Sequence, residues 1–417
     1  VNQYETEMMR GLLAHDFHLV HGSADLYIVN ACAVTSLAER KARQAIQRIR
    51  RGAPEAKIVL IGCLADAMTQ MRVKMEGVDL LGGNAWKGRI AEVTRQALAG
   101  RRGELPRVEP IPLLEERIEQ HTGRVRAFLK VQDGCDLSCT FCRTTQVRGS
   151  SRSKPIAVAF SEARSLVAGG YPEIVVVGIN LAQYTPPDGD LPNLLRELLT
   201  IDGLRRVRLG SLHPSGITEN LLRVFAEDQR ACPYFHLSLQ SGDDAVLRRM
   251  GRGYSAASFR SQIAAIRHFT PDATLGADVI VGFPGEDGDA FARTCALIQE
   301  VRFLNLHVFR YSRRDGTTAA HFLNEVSDKV KRERVQYLKT VAHAVRRKLL
   351  VDFLGKAEEI LVEENRDGRW RGYTRGYIDV DLLGADEITI GKEVCVRIAD
   401  IVDDHLEGIK TDGTDLR

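Results

Sequence analysis

No stretch of this sequence is apolar for anything near the ~20 residues that crossing a bilayer requires; runs such as Ile58 to Ile61 and Ile174 to Val177 are among the longest. The amino terminus lacks the basic-then-apolar layout of a secretory leader, and neither a fixed-period repeat nor a low-complexity tract is visible. Cysteine is scarce as well. Eight in 417 residues cannot staple a disulfide scaffold, and their clustering favours metal ligation in a reducing compartment. Neither sign of charge dominates, with 58 Lys and Arg against 55 Asp and Glu for a net of +3. These absences predict a cytoplasmic protein with no membrane partner.

What remains is ordinary globular material: 44% hydrophobic and 27% charged residues argue against disorder, collagen and coiled coil. The length suggests about two to four domains. The overall charge is an average over unlike parts. From Lys356 onward 9 basic residues meet 16 acidic ones, so the tail carries −7 and the chain before it +10. The tail's positive charge gathers in the hairpin Arg366 to Arg375, and a helix-like stretch from Ser327 to Leu350 is strongly basic between Lys329 and Lys348.

Over residues 1–100 short buried-strand patterns, Leu26 to Val29 and Lys57 to Ile61, alternate with helical ones, Ser36 to Arg51 (with Ser36 as N-cap) and Ala85 to Leu98. This is a small α/β domain with Cys32 and Cys63 directly after its strands, where open α/β sheets place ligands. Residues 101–125 are charged and Pro-containing and read as a linker. Six strand-like runs follow over residues 126–350: Phe128 to Val131, Ile174 to Val177, Val207 to Leu209, Phe235 to Leu239, Val279 to Val281 and Leu304 to Phe309. Alternation with helices predicts a parallel sheet, doubly wound or an incomplete barrel. Residues 355–417 change to short alternating runs around turns, which fits a small β-barrel.

The densest chemical signal is Cys135, Cys139 and Cys142, a C-x3-C-x2-C run after the first of those six strands. Three thiolates in one loop can hold three irons of a 4Fe-4S cluster and leave the fourth iron open to a substrate or cofactor. The competing reading is a structural Cys3His zinc site completed by His121 or another histidine. Cys32 and Cys63 taken alone are as consistent with buried small residues as with ligands. Cys232, Cys295 and Cys395 match no ligand spacing, and the last two read as core.

With Phe141 before its last cysteine, the triad resembles the radical S-adenosylmethionine superfamily, in which the open iron chelates the cofactor and the cluster cleaves it to a 5′-deoxyadenosyl radical. The resemblance implies an incomplete barrel. Val1-Asn2-Gln3-Tyr4-Glu5-Thr6-Glu7, Asn30-Ala31-Cys32-Ala33-Val34-Thr35 and Gly62-Cys63 are similar to the amino-terminal domain of the methylthiotransferases. That family carries a second 4Fe-4S cluster on three cysteines; Cys32 and Cys63 match two, and the third is expected just ahead of Val1.

The likeness continues through Gly169-Gly170, Gly178-Ile179-Asn180, the run His236 to Gly242 containing Gln240, and the run Asp278 to Glu286 containing Gly282. It implies that Gly169, Gly170, Gln240, Asp278, Gly282 and Glu286 contact S-adenosylmethionine. Two segments depart from the family's wording, Arg143 to Gly149 and Leu212-His213-Pro214. The tail resembles a TRAM module, which implies RNA contacts by Arg366, Arg369, Trp370, Arg371, Tyr373, Arg375 and Tyr377, the residue types single-stranded RNA recognition uses. The flanks most resemble the branch that adds a methylthio group to N6-threonylcarbamoyladenosine at position 37 of the tRNA anticodon loop. That chemistry implies an external electron donor and a sulfur source. Two other readings are the same chemistry on an aspartate of ribosomal protein S12, and a non-catalytic iron-sulfur RNA-binding redox sensor.

Overall fold

A computed structural model describes residues 1–33, 36–119, 121–366, 368–384 and 388–411; Val34, Thr35, Asp367 and the side chain of Ser36 lie outside that description. The chain opens on a helix, α1 (Asn2–Ala14), which the sequence reading left unassigned and whose Tyr4, Met8, Met9 and Leu13 are buried. Four parallel strands follow in order, β1 (Leu26–Asn30), β2 (Lys57–Ile61), β3 (Leu80–Gly82) and β4 (Gly103–Glu104), with α2 (Ser36–Gly52), α3 (Cys63–Met71) and α4 (Ile90–Leu98) between them. The segment 101–125 is anchored at intervals: its start adds β4 to the sheet, and Leu105, Leu113, Glu116, Ile118, His121 and Val125 are buried between exposed residues.

The next part begins with β5 (Arg126–Lys130), the short pair β6 (Gln132–Asp133) and β7 (Arg152–Ser153), and α5 (Thr144–Arg148) between them. It continues as α6 (Ile156–Ala168), β8 (Glu173–Val177), α7 (Leu191–Leu198), β9 (Arg206–Leu209), α8 (Glu219–Glu227), β10 (Tyr234–Gln240), α9 (Asp244–Arg249), α10 (Ala256–Phe269), β11 (Thr274–Val281), α11 (Gly288–Val301) and β12 (Asn305–Arg310). Parallel pairing gives β5-β8-β9 and β10-β11-β12. A single bridge, Leu212 to Leu237, joins the two sheets, so the six strands curve into an incomplete barrel and the doubly wound option falls. Side-chain oxygens of Asp190, Thr218, Asp243, Ser255 and Asp287 cap the helices α7 to α11.

The basic helix α12 (Asp328–Val351), capped by Ser327, packs on β12 and leads into a closed five-stranded barrel, β13 (Ala357–Arg366), β14 (Arg369–Thr374), β15 (Asp379–Leu383), β16 (Glu393–Val402) and β17 (His405–Lys410). This barrel seats on the amino-terminal ends of the large barrel's strands. Arg206 and Arg208 of β9 reach into it and donate to the carbonyls of Glu359, Tyr373 and Arg375, while Thr274 at the start of β11 bonds the Gly376 carbonyl. Among the described residues no helix is long and apolar enough to cross a membrane.

At the opposite end, a buried charge cluster locks the amino-terminal sheet to the barrel. Lys130 Nζ lies 3.0, 2.8 and 2.7 Å from carboxylate oxygens of Glu5, Glu116 and Asp133; Lys87 pairs with Glu5 at 2.5 Å, and Arg148 bridges Glu5 and Asp133 at 2.7 and 2.9 Å. Burial works against ionising these carboxyls, yet the surrounding cations hold Glu5 and Asp133 well below the ordinary carboxylate range. Removing one member of such a cluster leaves the others buried without their counter-charge. Lys130→Met is therefore expected to cost about 3–5 kcal/mol in a denaturant titration, whereas breaking the exposed Glu219–Arg223 pair costs about 0–1 kcal/mol.

The pH dependence has a definite sign. Because the folded pKa values of Glu5 and Asp133 are depressed, their stabilisation is complete above the unfolded values of about 4 and is lost as pH falls below them. The denaturant midpoint is expected to drop progressively below about pH 4, and less steeply in Lys130→Met; a midpoint flat down to pH 3 would contradict this.

Candidate active site

The loop after β6 is shaped by two close approaches. Gly134 has φ +73°, and a Cβ there would lie 2.0 Å from the Ser150 carbonyl oxygen, so only glycine turns the chain into the cysteine loop. On the far side Thr140 bonds the carbonyls of Met250 and Arg249, and its own carbonyl accepts from Ala319. Pinned at both ends, Cys135, Cys139 and Cys142 present three sulfurs, each with an N–H donor. Leu137 N lies 3.4 Å from Cys135, Arg252 Nη1 3.2 Å from Cys139, and Thr144 N 3.4 Å from Cys142.

Burial pushes the Cys142 thiol up, and the neighbouring Cys139 and Cys135 add to the shift. None of the eight cysteines is in a disulfide. Three clustered sulfurs facing N–H donors fit thiolate ligation of a 4Fe-4S cluster. His121, a candidate zinc ligand, is buried against Phe128 and Tyr171, with Nε2 accepting from Phe128 N at 2.8 Å.

Cys32 and Cys63 come to the same place. Gly62, with φ +99°, turns β2 into α3 at Cys63, whose sulfur accepts from Asn84 Nδ2 at 3.3 Å. A cavity of about 520 Å³ is lined by Cys32, Cys63 and Cys142 together with Gln240 and Asp278. Cys32 and Cys63, far from the triad in sequence, thus open on the same chamber as its Cys142.

Two buried acceptors beside it, Gln240 Oε1 and Asn180 Oδ1, have no partner among the described residues, and Asn180 Nδ2 lies 3.7 Å from Cys135 Sγ. Gln240 also has φ +67°, a conformation a non-glycine residue holds only at a cost. Orphaned acceptors next to a cysteine triad fit a ligand that brings N–H donors, such as the ammonium group of an amino-acid cofactor.

The other expected cofactor residues are placed differently. Gly169 and Gly170 follow α6 and precede β8, at the opposite end of the strand from the cysteines, and serve the helix-to-strand turn. Glu286 is buried and spent on its own turn, accepting from Gly282 N at 2.9 Å and Arg334 Nη1 at 2.6 Å. Gly282 is needed there because a Cβ would lie 2.4 Å from the Lys331 side chain. Asp278 does line the chamber, but its Oδ1 accepts from both His236 and His307 at 3.1 Å. Against burial, those hydrogen bonds hold its carboxyl well below the usual range.

The expected RNA-binding residues divide similarly. Arg366 and Arg369 are exposed on the β13–β14 hairpin. Trp370 packs partly against the core, Arg371 pairs with Asp381, and Arg375 with Glu359 and Glu393. Tyr373 and Tyr377 stack on each other beneath Arg126, so these five hold the small barrel together and to its seat.

Residues that sequence reasoning passed over include Asn84, Arg252 and the histidines around Asp278. Lys130 leaves a visible trace, a charge inside the apolar run Ala127 to Val131, whereas Glu5 sits among the polar residues Asn2 to Glu7 and leaves none.

The radical SAM superfamily model matches residues 129–298, and the model described as "Uncharacterized protein family UPF0004" matches residues 1–83. The chain is 34% identical to the threonylcarbamoyladenosine tRNA methylthiotransferase MtaB of Thermotoga maritima, over 99% of this chain and 95% of that protein. It is 33% identical to the MtaB of Bacillus subtilis over 95% and 91%, and 31% identical to a tRNA-2-methylthio-N(6)-dimethylallyladenosine synthase of Sphingopyxis alaskensis over 95% and 92%. Among solved structures, the radical S-adenosylmethionine methyltransferase TsrM of Kitasatospora setae shares the fold, with a TM-score of 0.53 at 16% identity over 75% of this chain and 65% of that one.

Arg252 places a cation on Cys139, and a positive charge beside a cluster favours its reduced form. Arg252→Leu is expected to make the reduction potential of the reconstituted cluster more negative in a potentiometric EPR titration; an unchanged potential would show that the guanidinium does not sense it.

Proposed function

The chain belongs to the radical S-adenosylmethionine methylthiotransferase family, and from that premise we propose that it adds a methylthio group to C2 of N6-threonylcarbamoyladenosine at position 37 of tRNA. The observation that carries the reading is the shared chamber, where Cys32 and Cys63 meet the triad's Cys142 across a space of about 520 Å³. Replacing a ring hydrogen with sulfur needs hydrogen abstraction and sulfur delivery at one carbon, and this chamber brings both cysteine groups to it. Similarity to the threonylcarbamoyladenosine enzymes over nearly the whole chain supports that substrate over the ribosomal-protein one. A pure redox sensor has no use for orphaned acceptors beside the triad.

In this reading residues 1–100 hold a second cluster through Cys32 and Cys63, residues 126–350 hold the catalytic cluster and S-adenosylmethionine, and residues 355–417 form the RNA-binding module, joined by 101–125. When bound, the catalytic cluster and cofactor supply the 5′-deoxyadenosyl radical. Cys135, Cys139 and Cys142 hold that cluster, Asn180 and Gln240 orient the cofactor's polar end, and Arg366 and Arg369 meet the phosphate backbone of the anticodon stem-loop. The target base lies in a loop, so little duplex opening is needed.

Anaerobic incubation with S-adenosylmethionine, reductant and modified tRNA, followed by nucleoside mass spectrometry, is expected to show the 2-methylthio product. Cys139→Ala is expected to abolish 5′-deoxyadenosine formation, and Cys63→Ala to spare it while stopping methylthio insertion. Equal loss of cleavage in both variants would overturn the division of labour; 5′-deoxyadenosine with no methylthio product from the wild type would overturn the activity.

A further inference from the structure

The inner wall of the large barrel carries polar residues that the reaction at C2 does not require. On three adjacent strands His236 (β10), Asp278 (β11) and His307 (β12) converge, with one oxygen of Asp278 taking a hydrogen bond from each ring. Behind them Tyr234 Oη lies 3.0 Å from His236 Nδ1, Asn305 Nδ2 3.3 Å from Tyr234 Oη, and Arg346 Nη1 2.8 Å from Asn305 Oδ1. The packing is built around this cluster: a Cβ on Gly276 would lie 2.2 Å from Tyr234 Oη and 2.5 Å from His236 Nδ1. Four linked side chains thereby fix the direction of one carboxylate.

Asp278 stands at a border. It lines the cysteine chamber, while His236 and His307 line a second cavity of about 1000 Å³ that runs through the barrel interior and ends at Tyr373 and Tyr377 of the small barrel. That interior is basic. Arg126, Arg208 and Arg346 on its wall are neutralised by Glu363, Glu173 and Asp379, but Arg124 and Lys339 have no carboxylate partner among the described residues. The hydrogen bond to Asp278 raises the His307 pKa and so favours its imidazolium form, and its side chain is 59% exposed with no hydrogen bond to Nε2 among the described residues.

In adenine C2 and C6 are separated only by N1, so a base whose C2 faces the cysteines must send its N6 substituent off to one side. The threonylcarbamoyl group on that nitrogen is a urea with N–H donors and ends in a free carboxylate. Resting on the substrate reading above, we propose that the barrel interior receives this group, with the free oxygen of Asp278 accepting from the urea N–H and His307 Nε2–H donating to the terminal carboxylate. Lys339 and Arg124 supply the remaining positive potential at the open side of the barrel.

The test compares two synthetic anticodon stem-loops, one with N6-threonylcarbamoyladenosine at position 37 and one with its threonine carboxylate methyl-esterified, using reconstituted holoenzyme. The wild type is expected to prefer the acid over the ester by roughly tenfold or more in kcat/KM, expressed mainly in KM, the size of one charge-assisted hydrogen bond. His307→Gln, which loses the cation, is expected to bring the two substrates within about threefold of each other, and His307→Lys to restore part of the preference. Because the ratio is taken within each protein, incomplete folding or cluster loading does not move it.

Wild type that converts the acid without preferring it, or a preference unchanged in His307→Gln, would overturn this assignment and leave the substrate reading standing. Wild type inactive on the acid but active on a stem-loop bearing another adenosine would overturn both.

Discussion

Everything at the reaction end of this molecule depends on the buried charges around Glu5. A carboxylate in the first helix is held by Lys87 from the short helical turn after β3, by Lys130 from the first barrel strand and by Arg148 from the helix after the cysteine loop. Each of these charges would be prohibitive alone in a dry interface; together they are acceptable only in one arrangement. Such a cluster is a poor source of net stability and a strong source of registry, because a sliding or rotated interface would leave ions unpaired. Gln70 and Asn84 of the first unit donate to the carbonyls of Gln146 and Val147, so the same contact fixes α5 beside the triad.

The fold separates its tasks by strand end. At the carboxyl ends the two cysteine groups face the shared chamber. At the amino ends the interior is stopped by the small barrel, whose Tyr377 packs against Tyr234 under Arg208. Arg206 and Arg208 donate to main-chain carbonyls of the small barrel, so docking depends on backbone shape as well as side-chain identity. The polar cluster around Asp278 joins the two ends through the interior.

The architecture was largely legible in the sequence because it follows from periodicity. The six runs between 126 and 310 read as strands, and each is one, since buried parallel strands are nearly uninterrupted apolar stretches. The cysteine triad was legible because three ligands share one short loop. Helix α1 was missed because its apolar face is broken by Glu5, whose partners arrive from residues 87, 130 and 148.

Site residues read from local wording fared according to whether their partner is local. Gln240 lies in the chamber, whereas Glu286 turns back to Gly282 and meets Arg334. The tail's arginines look alike in sequence, yet Arg371 and Arg375 are claimed by Asp381, Glu359 and Glu393, whereas Arg369 and Arg366, whose partner is the nearby Glu364, stay exposed. In the proposed reaction, ionic registry would hold two clusters over one base. Pulsed dipolar EPR on the reduced, reconstituted enzyme measures it directly: a single narrow inter-cluster distance is expected in the wild type, broadening in Lys87→Met. A broad distribution in the wild type, or one equally narrow in the variant, would contradict it.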